Sequence, residues 1–404
     1  CDKLVFESSF QGENVKSTMI WDAKKLKEII ADRSNKEEAS TVIDQVTSFK
    51  EEIESLDIHY FKVVLQGVTN EHLLNVKDVR QYLSMVAPVP FKKSIFSDKI
   101  YSELNREKIK IDEYATYVNE EQLFKGYKWY VYEGDEDNPK KVDEVIDICF
   151  FKEIDYSGKV LFWGWYGITE KNQSLNKINF ARGVRLRKEN IQIGEDSTLD
   201  RFHSEKRFQN YFFGEVHAIH QELYPNARRD FFSENFICTI FEEKLKNFFH
   251  TTISKLCRIS SDANSATKDI INYNIKQVEF ENKVKEGLFT SNDERKKLEK
   301  ELESSKEKAD KATQKLEKLQ DKDNSAPIQK IITKATEKLE ARIQPISSSS
   351  KEIFEQKTKF RTDKLSKLEK RDRKFLGEIF SIINNVLTKD LAENLIQKIE
   401  EKYK

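Results

Sequence analysis

The sequence changes character near residue 260, and no single architecture serves both sides of that change. Before it, all four tryptophans (Trp21, Trp129, Trp163 and Trp165) and most other aromatic residues sit in strand-like alternation. After it come Lys, Glu, Ser and Ala at helical spacing, with only Gly287 and Gly377 among the glycines. Apolar residues with period two suit a half-buried strand, and recurrence every three to four residues suits a helix. The predicted class is therefore α+β: a mixed sheet-and-helix domain followed by a helical coiled-coil extension.

Leu298, Leu302, Ser305, Ala309, Ala312, Leu316 and Leu319 are spaced 4, 3, 4, 3, 4 and 3 residues apart, the seam of a heptad coiled coil. A rod over this stretch runs about 33 Å at ~1.5 Å per residue. Residues 321–327 carry turn formers and predict a bend. Ile328, Ile332, Ala335 and Leu339 then resume the rhythm until Pro345 and the serines at 347–350 interrupt it. A last amphipathic pattern, from Phe375 through Ile382, Val386 and Leu391 to Ile399, predicts one or two further helices. The spacing fits antiparallel hairpins within one chain and parallel pairing between two chains equally.

In the first part, Leu4, Phe6 and Phe10 predict a strand of a sheet begun upstream, so the chain is expected to be a piece of a longer protein. Residues 21–30 and 37–53 have helix-like spacing, and His59, Phe61, Val63 and Leu65 alternate as a strand does. A helix over 73–85 ends at Ala87-Pro-Val-Pro-Phe91, where proline breaks helical bonding and a boundary belongs. Beyond it, strands are expected at 109–118, 142–151, 159–166, 183–193 and 211–219, and helices at 98–106 and 231–257. Asp155-Tyr-Ser-Gly158 is hairpin chemistry between two of those strands.

The 70 basic and 70 acidic residues cancel, so no overall field draws the chain to nucleic acid or anionic lipid. No run approaches the roughly 18 uncharged apolar residues a membrane helix needs, so no membrane is expected among the partners. The four cysteines, Cys1, Cys149, Cys238 and Cys257, lack paired spacing and predict reduced thiols in a cytoplasmic protein.

Chemistry concentrates between residues 179 and 235. Arg182, Arg185 and Arg187 lie on a strand, Gly194-Glu-Asp196 follows, and Pro225-Asn-Ala-Arg-Arg-Asp230 is read as opening an apolar helix, with Asn226 as its N-cap. Free backbone N–H groups at a helix start favour an anion, and Arg228 and Arg229 placed there would add a guanidinium clamp for phosphate. The plainer reading is a capped helix with two solvated arginines. The strand arginines could form a stripe for a nucleic-acid backbone, but they do not all share a face, which favours a solvated or ion-paired strand. His217 and His220 point to opposite faces at their spacing, which argues against a metal site.

These motifs together resemble a known superfamily. Pro225-Asn-Ala-Arg-Arg-Asp230, a Gly214-Glu-Val216 strand and Gly183-Val-Arg-Leu-Arg187 are similar to the middle domain of the ninety-kilodalton heat-shock chaperones. Phe61-Lys-Val-Val-Leu-Gln-Gly-Val68 and residues 82–91 resemble the junction of nucleotide and middle domains in bacterial relatives. The similarity covers residues 1 to 250 and points to the GHKL superfamily of ATPases (gyrase B, histidine kinase, heat-shock chaperone and MutL type). Arg228 stands where the chaperones carry Ser, and Ser233 where they carry Gln.

The resemblance implies a domain plan: residues 1–68 ending a nucleotide-binding domain, 69–258 a middle or transducer domain, and 259–404 a helical coil. It also implies that Arg229 reaches the γ-phosphate of ATP held by the upstream domain, with Asn226 and Arg228 beside it in the nucleotide site. ATP and Mg2+ would belong to the parent protein. None is expected on this chain alone, which lacks the superfamily's Glu- and Asn-bearing helix, its Asp-x-Gly-x-Gly loop and any Gly-x4-Gly-Lys-Ser/Thr loop. Hydrolysis is expected only in the longer protein, working as a homodimer on a protein client or DNA through the coil. The rival reading is a non-enzymatic protein whose coil oligomerises or binds nucleic acid.

Overall fold

Period-two alternation builds the N-terminal sheet. Strands β1 (Lys3–Ser9), β2 (Val15–Asp22), β3 (Thr47–Ile53) and β4 (Tyr60–Gln66) pair antiparallel in the order β3-β2-β1-β4. The register sets Leu4 opposite Trp21 and Leu65, Phe6 opposite Met19 and Val63, and Met19 opposite Phe49, so these residues share one face. Helices α1 (Ala23–Ala31) and α2 (Ala39–Val46) connect β2 to β3. Residues 37–53 are thus not one helix: Phe49 and Ile53 alternate along β3, and its seven-residue pairing with β2 overrides the local helical spacing.

The computed structural model describes residues 1–134, 138–322, 325–343, 360–365 and 367–403. The chain divides into two compact units, residues 1–90 with 113–126, and residues 91–112 with 127–404. The first unit is completed by α3 (Glu71–Leu74), α4 (Val76–Val86) and two short strands, β5 (Tyr117–Val118) and β6 (Glu121–Gln122). The Asn75 side chain caps α4 by accepting from the N–H of Lys77, and the helix stops at Ala87 before Pro88. Of the strand expected at 109–118 only its last two residues form one. Two of its other N–H groups are spent elsewhere, Ile109 on the Leu104 carbonyl that ends α5 (Ile95–Glu107) and Tyr114 on that of Pro88.

The second unit is built on a six-stranded sheet. Its strands are β7 (Tyr130–Glu133), β8 (Lys140–Ile154), β9 (Val160–Thr169), β10 (Gly183–Lys188), β11 (Ile191–Gln192) and β12 (Phe213–Ala218), in the order β11-β10-β12-β9-β8-β7. The β8–β9 hairpin turns as expected: the Asp155 carboxylate accepts from the N–H groups of Ser157 and Lys159, and Gly158 takes φ +82°. From Leu161 to Thr169 every residue of β9 is buried, because both faces are covered. On one face Phe91, Phe96 and Ile100 pack on Trp163, Trp165 and Phe213. On the other, Phe162, Tyr166 and Val216 join Phe241, Phe249, Ile253, Ile328 and Ile332.

The composition change at residue 260 falls inside a helix rather than at a break. Helix α6 (Phe236–Phe248) runs through a π-helical turn (Phe249–Ile253) into α7 (Ser254–Glu286), which ends on Gly287 at φ +64°. Helix α8 (Asn292–Lys322) folds back along α7, with Lys315 paired to Asp262 at 2.8 Å and Lys276 bonded to Ser305 at 3.2 Å. The heptad residues Leu302, Ala309, Ala312 and Leu316 are buried in this hairpin and against α9 (Ala326–Arg342). Of the two pairings the spacing allowed, the chain uses the antiparallel one within itself. Asp147 of β8 pairs with Lys99 of α5 at 3.0 Å and with Lys330 of α9, fastening helices to the sheet.

Pro345 and the serines 347–350 lie outside the described residues. The last amphipathic pattern forms α10 (Lys370–Val386) and α11 (Lys389–Tyr403). Buried Arg361 holds α11 through Glu393 and Glu400, while Phe375, Ile382, Val386 and Leu391 stay exposed. Among the described residues no helix is long and apolar enough to cross a membrane.

Candidate functional site

The segment Tyr224 to Ser233 leaves the sheet after β12 as a narrow excursion. Ser233 donates its N–H to the Tyr224 carbonyl at 2.8 Å and Asn226 to that of Phe231 at 2.9 Å, with Pro225 and Phe232 bridged antiparallel. At its tip Arg229 donates its N–H to the Asn226 carbonyl at 2.9 Å, closing a turn, and then takes φ +55°. This left-handed conformation suits Gly or Asn and costs another L-residue about 1 kcal/mol.

Surrounding groups hold that conformation. Gly194 donates its N–H to the Arg229 carbonyl at 2.7 Å, and the Asn226 side-chain amide donates to the Asp230 carboxylate at 2.6 Å. Gly194 itself has φ +66°, and a Cβ there would meet Thr198 Oγ1 at 2.1 Å and the Asp230 carbonyl at 2.6 Å. Phe232, buried at the base, anchors the excursion in the core. The backbone of Arg229 is fixed, whereas its side chain is exposed. Among the described residues its guanidinium has neither an ion-pair nor a hydrogen-bond partner, and the same holds for neighbouring Arg228.

One expectation about this turn is corrected. Asn226 does not cap a helix and Arg228 and Arg229 do not stand at a helix mouth. The cap is Asn235, whose side chain accepts from the Cys238 N–H at 2.7 Å, and the helix begins at Phe236. The antiparallel bonds of Asn226 and Ser233 keep Phe231 and Phe232 extended, so these residues reach the core without helical spacing. No helix dipole therefore favours an anion at Arg229, and its own charge has to suffice.

Of the three arginines expected on one strand, Arg182 lies before β10 and is half-buried, and Arg185 and Arg187 lie on it. Arg187 is fully buried, and its Nε lies 2.5 Å from the Glu215 carboxylate, which also accepts from Tyr127 at 3.0 Å and contacts His217 Nε2 at 2.9 Å. Burial beside Glu215 drives the Tyr127 phenol well above its usual range, so it stays a protonated donor. Arg185 is buried as well and donates to Gln192 and to the Phe180 carbonyl; burial lowers its pKa. Lys188 donates to the His220 carbonyl at 2.9 Å, and burial lowers its pKa too. Buried cations cannot line a nucleic-acid groove, so this strand is ion-paired and hydrogen-bonded rather than a phosphate stripe.

His217 and His220 each have a carboxylate beside them that sequence spacing did not suggest, Glu215 at 2.9 Å and Asp155 at 3.4 Å. Among the described residues no group of three or more His, Cys, Asp and Glu is arranged to hold a metal ion. A cavity of about 280 Å³ lies beside the base of the excursion, lined in part by Lys110, Lys188, Asn190, His217, Tyr224 and Pro225.

Two contributors escaped the sequence reading. Gly194 stood out only within the run Gly194-Glu-Asp196, and nothing local says that it bonds a residue 35 positions on. Arg201 stacks on the rings of Phe202 and Phe231 at 4.7 and 4.1 Å and pairs with Glu242 at 2.6 Å, bracing the residue after Asp230. No protein-family model matches the sequence, and no curated protein matches it.

Proposed function

We propose that this chain is the coupling part of a GHKL-type, heat-shock-chaperone-like ATPase. Arg229 senses the γ-phosphate of ATP held by a nucleotide-binding domain, and closure of the site is passed to the helical coil. The observation that carries this reading is the geometry at Arg229: a non-glycine residue kept at φ +55° by bonds to its neighbours, with an exposed guanidinium that has no partner among the described residues. Strain at an exposed cation is maintained where orientation matters, and a guanidinium on a fixed backbone loses less freedom on meeting a phosphate. Placed against a transferring phosphoryl group, it would neutralise charge that develops in the transition state. Mg2+ and ATP would be held by the upstream domain, while Arg228 and Asn226 act here as the second cation and the brace of the turn.

The uncovered apolar face of the four-stranded sheet adds support. Phe49, Phe61 and Ile53 are 74%, 69% and 90% exposed, and a sheet with an apolar face requires a second layer. We take that layer to be the helices of the nucleotide-binding domain. The test joins the upstream domain to this chain and substitutes Arg229→Ala. Steady-state hydrolysis is expected to fall about 100-fold in kcat with little change in ATP affinity. A rate within twofold of the parent removes the assigned role.

A further inference from the structure

The turn that carries Arg229 and the start of the coil are joined by one continuous segment, residues 194–209. At one end, the Gly194 N–H holds the Arg229 carbonyl at 2.7 Å and the Thr198 hydroxyl accepts from the Glu195 N–H at 2.7 Å. Gln209, the last residue of the segment, folds back between the two ends, and its buried amide donates to the carbonyls of Asp196 at 2.7 Å and Val184 at 3.1 Å. Its Oε1 lies 2.8 Å from His203 Nε2, and since the amide nitrogen is committed to two carbonyls, the imidazole is the donor. Burial lowers the His203 pKa to about 4, in keeping with that neutral tautomer.

At the far end, the His203 ring lies 4.3 Å from the ring of Phe249, the first residue of the π-helical turn. The Ser204 hydroxyl is 2.6 Å from that of Ser254, which also donates to the Phe249 carbonyl at 2.9 Å. A π turn is a rare interruption of α-helical bonding, frequent at functional sites, and here it joins α6 to the 33-residue α7. Gln209, His203, Phe249 and Ser254 are all buried, so a shift of one is felt by the next.

We propose that residues 194–209 are the coupling loop of this protein, with Gly194, Gln209 and His203 as positioning residues that tie the Arg229 turn to the π turn opening the coil. Movement at either end is transmitted to the other, and the effect is reciprocal. Only the input, a phosphate at Arg229, rests on the function proposed above; the mechanical connection is a property of this chain alone.

Amide hydrogen exchange on the 404-residue chain without nucleotide tests it. Thr198→Val loosens the Arg229 end and Ser254→Ala the coil end, both far milder than the clash of Gly194→Ala. Thr198→Val is expected to speed exchange at residues 249–254 about threefold, and Ser254→Ala to do so at residues 194–198 and 226–231, with β9 unchanged. Gln209→Leu should cut the connection, so that Thr198→Val in its background no longer affects 249–254. Changes below about 1.5-fold at the distant end, or a rise that includes β9 equally, overturn the proposal. Because no ATP is present, that outcome leaves the Arg229→Ala hydrolysis test standing on its own.

Discussion

The two sheets of this protein have the same raw material and opposite fates. In the six-stranded sheet, β9 is buried on both faces, by aromatic packing under α5 on one side and by α6, the π turn, α7 and α9 on the other. In the four-stranded sheet, Phe49, Phe61, Val63 and Leu65 alternate just as regularly, yet stay exposed. Alternation decides which way side chains point, but whether a second layer arrives is decided elsewhere in a chain or by another one. The ion pairs follow suit. Glu52 of β3 is half-exposed, and its pKa is lowered to about 2 by hydrogen bonds from Lys16 and Lys50, contacts that salt screens. Glu215 lies fully buried between Arg187 and His217.

The sharpest way to break the covered sheet is therefore to remove Glu215. Glu215→Ala strands the buried Arg187 charge and leaves Tyr127 without its carboxylate, which is expected to cost about 3–5 kcal/mol. Urea denaturation followed through Trp129, Trp163 and Trp165, all in the second unit, reads that loss. A change under about 1 kcal/mol would mean that the network is hydrated and that the contrast between the sheets is overstated.

A second consequence of covering a sheet is pH dependence. His203 has its pKa lowered from 6.5 to about 4 by burial, against a smaller opposing contribution from Gln209. The unfolded chain therefore binds a proton between those values that the folded chain refuses. The stability this confers is complete above pH 6.5 and is lost as pH falls through about 4. At ~1.4 kcal/mol per pKa unit it amounts to about 3 kcal/mol. His203→Gln should flatten the fall in stability of the second unit between pH 6.5 and pH 4 by roughly that amount. An identical slope in the variant would place the titrating group elsewhere.

The same contrast explains what was legible in the sequence. Elements with a strong period and clean punctuation were readable: the β8–β9 hairpin through Asp155 and Gly158, α5, and α4 ended by Ala87-Pro88. The heptad seam from Leu298 to Leu319 gave the helix, but not its partner, because α7 presents Ala263 and Ala266 at helical spacing that a second chain could equally supply. Residues 47–53 misled because their pairing with β2 is non-local. The candidate site was legible only in part for the same reason: Arg229 was singled out by its residue type and neighbours, whereas its conformation depends on Gly194 and on an antiparallel bond between Tyr224 and Ser233. Asn226 and Asn235 are equally good caps on paper, and the choice between them was made by Phe231 and Phe232 reaching the core in extended form.

The smallest expected effect bears most directly on the open face. A phenylalanine in a packed core costs about 3–5 kcal/mol when truncated, and Phe162 in β9, fully buried against Phe241, should behave so. The double substitution Phe49→Ser and Phe61→Ser removes two rings rather than one, but these are already mostly in water, so the stability of this chain should change by less than about 2 kcal/mol. Binding of a hydrophobic dye such as ANS should drop at the same time, since the patch that attracts it is gone. If the proposed nucleotide-binding domain packs on this face, the same pair should cost several kcal/mol in a chain joined to it, because the rings would then be carrying an interface. A loss above about 2 kcal/mol in the isolated chain would mean instead that this face is already packed, and the sheet would no longer count as half a sandwich waiting for its second layer.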